Sequence, residues 1–208
     1  MQAAKMVYLY LFDTLADWEI GYVTTGISNP MMQLDPERYR LRTFSTDGKP
    51  IRTLGGLRVT PELSLEEVQA VDAKMLILPG GMNWETGGNQ EALALARHFH
   101  GRDITVAGIC GATLGLATVG VLDGVRHTSN SRDFLRISDY RGEENYVAEL
   151  VVSDGGVITA PGTAALEFAR EIFRALDLYK PDVLDAWYTL FKTSSPEAYA
   201  ALMKAAGA

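Results

Sequence analysis

Cysteine is nearly absent from this chain. Cys110 is the single one in 208 residues, and histidine occurs only at positions 98, 100 and 127. One thiol excludes an internal disulfide and a multi-cysteine metal site, and it suits a reducing compartment. His98, His100 and His127 have no ligand spacing with Cys110 or with acidic residues, so no metal centre and no cofactor are expected. Lysine and arginine total 19 against 26 acidic residues, the net charge is −7, and the basic residues gather nowhere. A nucleic-acid partner is therefore not expected. No apolar run is long enough to cross a bilayer, and Met1 to Lys5 pass directly into a strand-like stretch. Neither a secretory leader nor membrane attachment is expected, and a cytoplasmic location is. There is no internal repeat, low-complexity tract or long linker. One domain over 1–208 is the expectation, with a core of about 5–176 and a helical extension of about 180–206.

Apolar residues make up 47% of the chain, enough for a large core. Met6 to Phe12 are continuously apolar, as in a strand buried on both faces. A helix follows from Ala16, with Asp17 and Glu19 in its first turns and Asn29-Pro30 closing or kinking it. Tyr39 to Ser45 read as a strand, and Ile51 to Thr60 as a small hairpin around Gly55-Gly56. Ser64 and Glu67 stand at capping-box spacing. Lys74 to Leu78 form a buried strand that ends in Pro79-Gly80-Gly81. Asn89 to Phe99 form a helix with Leu93, Ala96 and Phe99 or His100 inward.

Beyond the Cys110 region, Val125 to Thr128 read as a short strand and Ser131 to Ile137 as a helix. Tyr146 to Val152 and Val157 to Ala160 flank a hairpin signal at Asp154-Gly155-Gly156. Ala164 to Leu176 are amphipathic. Lys180 to Lys192 and Ser195 to Ala206 make a helical tail whose apolar stripe includes Trp187, Tyr188, Leu190 and Phe191. Strands alternating with helices predict a mostly parallel sheet with helices on both faces, an α/β/α sandwich.

Ile104 to Ala117 carry the chemistry. A strand-length apolar run enters Gly108-Ile109-Cys110-Gly111-Ala112, and a run of small residues at helical spacing leaves it. Small-x-nucleophile-x-small is the pattern of a nucleophile elbow, a tight strand-to-helix turn that lifts one side chain above a sheet edge. The first N–H groups of the following helix would favour a thiolate there. A lone cysteine after an apolar strand is commonly an inert hydrophobe instead. What argues otherwise is the second glycine-rich strand end at Gly80-Gly81, because two such ends make a crevice lined with N–H groups. A carboxylate in a helix's first turn, as at Asp17 and Glu19, ordinarily complements the helix dipole.

Five stretches in order resemble the ThiJ/PfpI superfamily, a branch of the class I glutamine-amidotransferase-like, flavodoxin-like fold. They are Tyr10 to Asp13 running into Ala16 to Glu19, Ile77 to Gly81, Ala107 to Ala112, Leu122 to Asn130, and Thr159 to Ala164. The superfamily includes the Parkinson-associated protein, PfpI-type peptidases, glyoxalase or deglycase enzymes and isonitrile hydratases. The resemblance implies cofactor-free cysteine chemistry on a small molecule and a homodimer. It implies Cys110 as nucleophile, Glu19 as the carboxyl group touching it, and the N–H groups of Gly81 and Gly111 as an oxyanion pair. Asp17 aligns with an acid of the isonitrile-hydratase branch.

The departures are specific. Gly111 stands where PfpI-type peptidases carry a histidine base. Asn130 stands where the Parkinson-protein branch carries its histidine. The nearest histidine, His127, alternates onto the other strand face from Asn130. The absent Cys–His pair argues against a peptidase or amidotransferase. A small-molecule enzyme with Glu19 moving the proton ranks first. A redox sensor oxidised at Cys110 is the alternative, followed by a ligand-binding regulatory domain.

Overall fold

The computed structural model describes residues 3–207. Strand β1 (Lys5–Tyr10) runs up the centre of the molecule, and its last four residues are buried. Helix α1 (Asp17–Ser28) leads to β2 (Tyr39–Ser45), which pairs in parallel with β1. Strands β3 (Ile51–Arg52) and β4 (Arg58–Val59) form a separate antiparallel hairpin, as the Gly55-Gly56 signal predicts. Strand β5 (Leu63–Ser64) adds to the edge beside β2. The Ser64–Glu67 signal is real: the Ser64 N–H and hydroxyl both donate to the Glu67 carboxylate, at 2.8 and 2.9 Å.

Strand β6 (Ala73–Leu78) pairs in parallel with the other side of β1. Helix α2 (Gln90–His100) and strand β7 (Thr105–Ile109) follow, then α3 (Gly111–Thr118) and the single turn α4 (Arg132–Leu135). The hairpin β8 (Val152–Asp154) and β9 (Val157–Ala160) closes the sheet, in the order β5-β2-β1-β6-β7-β9-β8. Only β8 is antiparallel to its neighbour. The β1 crossover runs one way along the sheet and the β6 crossover runs the other. Right-handed crossovers then put α1 and α2 on opposite faces, giving the sandwich expected from the alternation. The reversal lies between β1 and β6, and in such sheets ligands bind outside the carboxyl ends at that point.

Val125 to Thr128 do not form the strand expected of them. Both sides of β9 are taken, by β7 and β8, so no ladder is free for them. A single bridge joins His127 to Tyr146, and side chains do the rest. The Thr128 N–H donates to Thr159 Oγ1 at 2.9 Å, and the Thr128 hydroxyl donates to the Glu149 carbonyl at 2.8 Å. The strand expected over Tyr146 to Val152 is likewise confined to β8.

Helix α5 (Ala165–Ala175) lays Phe168, Ala169, Ile172 and Phe173 into the core. Helices α6 (Pro181–Thr193) and α7 (Pro196–Ala206) extend it: α6 packs on α5, and α7 on α6. No helix among the described residues is long and apolar enough to cross a membrane. Phe173 joins α1, α5 and α6. Its ring meets Tyr179 at 5.3 Å and Trp187 at 5.2 Å between centroids, and its edge fills the space beside Gly26. Phe173→Ala should therefore lower stability by about 3–5 kcal/mol, read from the urea midpoint.

Candidate active site

Cys110 sits between β7 and α3 with φ 57° and ψ −124°, a conformation that side chains other than glycine rarely adopt. Such a residue costs roughly 1–3 kcal/mol and persists only where its surroundings impose it. Here the Cys110 N–H donates to the Ala160 carbonyl at 2.9 Å. Its carbonyl accepts from the Thr113 hydroxyl at 2.6 Å, and that hydroxyl also pairs with Ser129 Oγ at 2.6 Å. The elbow read from the sequence is thus a clamped bend with the thiol above it.

Glu19, on the first turn of α1, is fully buried against that thiol. The Gly80 N–H donates to its Oε2 at 2.6 Å. Oε1 has no hydrogen-bond partner among the described residues and lies on the thiol's side of the pair. Two glycines make room for the pair. A Cβ on Gly80 would lie 2.5 Å from Cys110 Cβ and 2.7 Å from Glu19 Oε2. A Cβ on Gly162 would lie 2.7 Å from Cys110 Sγ and 3.0 Å from Glu19 Oε1. The sequence marks Gly80 only as part of a glycine-rich strand end and gives Gly162 no role, although Gly162 too stands at a strand end after proline.

Burial pushes the Glu19 carboxyl up to about 7, against the Gly80 N–H and the thiol, which favour its charge. Burial first, and the Glu19 charge next, push the Cys110 thiol up to about 11. The Asn130 amide and the Gly111 N–H pull the other way and are outweighed. The thiolate expected from the helix terminus is therefore not the resting form. The two groups titrate together, and the pair keeps at least one proton through the neutral range.

Asn130 reaches the sulfur. Its Nδ2–H donates to Cys110 Sγ at 3.4 Å, and its Oδ1 accepts from the Gly162 N–H at 2.9 Å. That second bond fixes which end of the amide faces the thiol. His127 does not join the site. It is buried, its Nδ1 pairs with the Val125 carbonyl at 2.9 Å, and its ring packs against Tyr140 and Tyr146. Burial lowers its pKa, which keeps the ring neutral.

Asp17 is also turned elsewhere. Its carboxylate accepts from the Gly55 N–H at 2.7 Å and from Thr53, holding the β3–β4 hairpin. Burial opposes its charge, but those hydrogen bonds outweigh it and keep the carboxyl below its usual range. Gly111 follows Cys110 directly, and its N–H points to the thiol. Gly81 bridges to Leu15, and its carbonyl would lie 3.0 Å from a Cβ on Gly111, so the two loops adjoin. Trp84 is buried and donates to the Pro79 carbonyl at 2.9 Å, whereas Met82 is exposed. No group of three or more His, Cys, Asp or Glu suited to a metal ion occurs among the described residues.

Comparisons with known proteins bear on the chain's family and fold. The model of the DJ-1/PfpI family matches residues 5–175. A Bacillus subtilis protein named "Uncharacterized protease YoaZ" is 40% identical over 206 residues, 98% of this chain and 98% of its own. The crystal structure of a thiJ/pfpI family protein from Bacillus anthracis superposes with a TM-score of 0.89 at 38% identity, covering 99% of this chain and 98% of that one. Drosophila melanogaster DJ-1beta superposes with a TM-score of 0.68 at 25% identity, over 84% of this chain and 90% of its own. The chain belongs to the DJ-1/PfpI family.

Proposed function

We propose that this protein is a cysteine-dependent enzyme acting on a small electrophilic molecule, with Cys110 as nucleophile and Glu19 as its proton partner. An oxoaldehyde or glycated adduct, an isonitrile and an amide are the substrate classes considered. The observation that carries the reading is the Glu19 carboxyl buried against a thiol on a strained elbow. A carboxyl with its pKa pushed up to about 7 suits both taking and giving a proton near neutral pH. In an addition to a carbonyl, sulfur bonds to carbon and the carbonyl π pair moves to oxygen. The thiol proton passes to Glu19 and then to that oxygen. The N–H groups of Gly81 and Gly111 are the donors proposed for the developing anion, worth roughly 3 kcal/mol each in comparable sites.

Asn130 can hold the sulfur but has no basic lone pair to take its proton. A peptidase reading lacks the imidazole it needs, since His127 makes no hydrogen bond to the thiol among the described residues. A redox sensor oxidised at Cys110 is the second reading, and intact mass after mild peroxide separates the two: a gain of one or two oxygens on Cys110 favours the sensor. A second copy of the chain is the partner proposed for the hairpin face, where Leu54 and Leu57 are exposed. Sedimentation equilibrium that finds only monomer at micromolar protein removes that part.

Cys110→Ala should abolish turnover on every substrate class the protein accepts, while the unfolding midpoint stays near that of the parent. Retained turnover in that variant sinks the proposal.

Glu19→Gln separates the two roles of the carboxyl. Its charge raises the thiol pKa, so its removal should shift the pH profile of Cys110 alkylation to lower pH. Turnover should nevertheless fall by about 10²–10⁴ because the proton carrier is gone. Stability follows the same sign: a carboxyl raised in the folded state contributes below its unfolded pKa of 4.5 and loses that contribution as pH rises toward about 7. Glu19→Gln should flatten that part of the stability curve, as read by urea unfolding between those pH values.

A further inference from the structure

Three helices leave an apolar cavity open next to the thiol site. Trp18, Gly21 and Tyr22 line it from α1, Trp187 and Phe191 from α6, and Tyr199 from α7. These positions are three or four residues apart within α1 and α6, so each of those helices presents one stripe. Facing stripes ordinarily interlock. Here they do not close, because a Cβ on Gly21 would meet no atom within 4 Å, and about 730 Å³ remains. That volume lies within the range of small-molecule sites.

The floor is an aromatic cluster. Tyr22 meets Trp187 at 6.1 Å and Phe191 at 5.3 Å, both edge-on. Trp18 and Tyr199 stay 56% and 57% exposed at the rim. Among the described residues no Asp, Glu, Lys, Arg or His lines the cavity, so a charged occupant would be buried without a partner. Residues of α6 and α7 lie beyond 175, where the family match ends. Two of the three lining helices therefore lie outside that match, while Met31 and Met32 after α1 line a further side.

Trp18 ties the cavity to the thiol. Its indole N–H donates to the Gly162 carbonyl at 3.0 Å. The Gly162 N–H donates to Asn130 Oδ1 at 2.9 Å, and Asn130 Nδ2–H donates to Cys110 Sγ at 3.4 Å. An exposed indole samples other rotamers, and a ring packed on it favours the bonded one. We propose that this cavity binds an uncharged, flat aromatic small molecule, and that its occupant acts on Cys110 through Trp18, Gly162 and Asn130. The proposal does not need the enzymatic reading, since binding and thiol alkylation are both measured without turnover.

The test uses Nile red as an uncharged, flat probe, and iodoacetamide on Cys110. Wild-type protein should bind the dye saturably at one site, and bound dye should speed alkylation by about fivefold or more. Gly21→Leu places its Cβ where no atom lies within 4 Å and projects the rest of the side chain into the cavity, so it should weaken dye binding by at least about tenfold, with an unfolding midpoint no lower than the parent's. Trp18→Phe keeps a ring but loses the N–H, so it should bind the dye and lose the acceleration. Unchanged binding in Gly21→Leu overturns the site, and acceleration retained in Trp18→Phe overturns the coupling. If Phe191→Asp turns a wild-type dimer into a monomer, the face belongs to a second copy and the small-molecule proposal falls.

Discussion

One carboxyl group buried against one thiol sets the terms for the rest of the molecule. Glu19 is fully buried, and an ionised carboxylate there would be costly unless several donors met it. Oε2 receives one backbone N–H, from Gly80, and Oε1 faces sulfur. That is too little to hold a charge comfortably, which is why burial lifts the group toward neutrality. The arrangement keeps a proton in the pair when solvent pH alone would strip a carboxyl of it. Placing such a group needs a helix that starts at the carboxyl end of β1, and a neighbouring strand end with an N–H to spare. The sheet reversal between β1 and β6 supplies both.

The elbow and the core depend on one another. A left-handed φ at Cys110 persists only because neighbours on β9, on α3 and in the loop before α4 hold it. Ala160 on β9 takes its N–H, Thr113 on α3 takes its carbonyl, and Ser129 fixes Thr113. Below the bend, β1, β6 and β7 are buried on both faces and give these contacts a rigid base. The space above is left by Gly80 and Gly162, whose missing side chains are occupied, in effect, by the thiol and the carboxyl. Stability in the sheet thus underwrites strain at its edge.

Most of the frame was legible from periodicity, for a physical reason. Continuous apolar runs of strand length such as Met6 to Phe12 suit strands buried on both faces, and Leu93, Ala96 and Phe99 can share a face only in a helix. The elbow was legible because a positive φ at a nucleophile needs small neighbours. What the sequence hid are contacts across long separations. Gly80 meets Glu19 over 61 positions, and Gly162 meets Asn130 over 32. Val125 to Thr128 misled because their composition suits a strand, and nothing local reveals that both sides of β9 are taken. Asp17 looked like a second acid at the site, yet its partner is a backbone N–H at the hairpin turn, 38 residues on. The thiol's raised pKa was hidden too, because a helix start argues for a thiolate until the depth of burial is known.

Asn130 narrows what the site can do. An imidazole in its place could accept the thiol proton and later release it; a carboxamide can only donate through nitrogen and accept through oxygen. Its oxygen is already committed to the Gly162 N–H, so nitrogen alone is presented to sulfur. The amide therefore steadies a negative sulfur as it forms but leaves the proton to another group. Glu19 is the one titratable side chain among the described residues whose charge acts on the thiol. Proton transfer then runs through a single carboxyl that must take the proton before it can give it. Reactions in which the proton lost by sulfur is the one gained by substrate fit that constraint. Reactions needing a second, independent base do not.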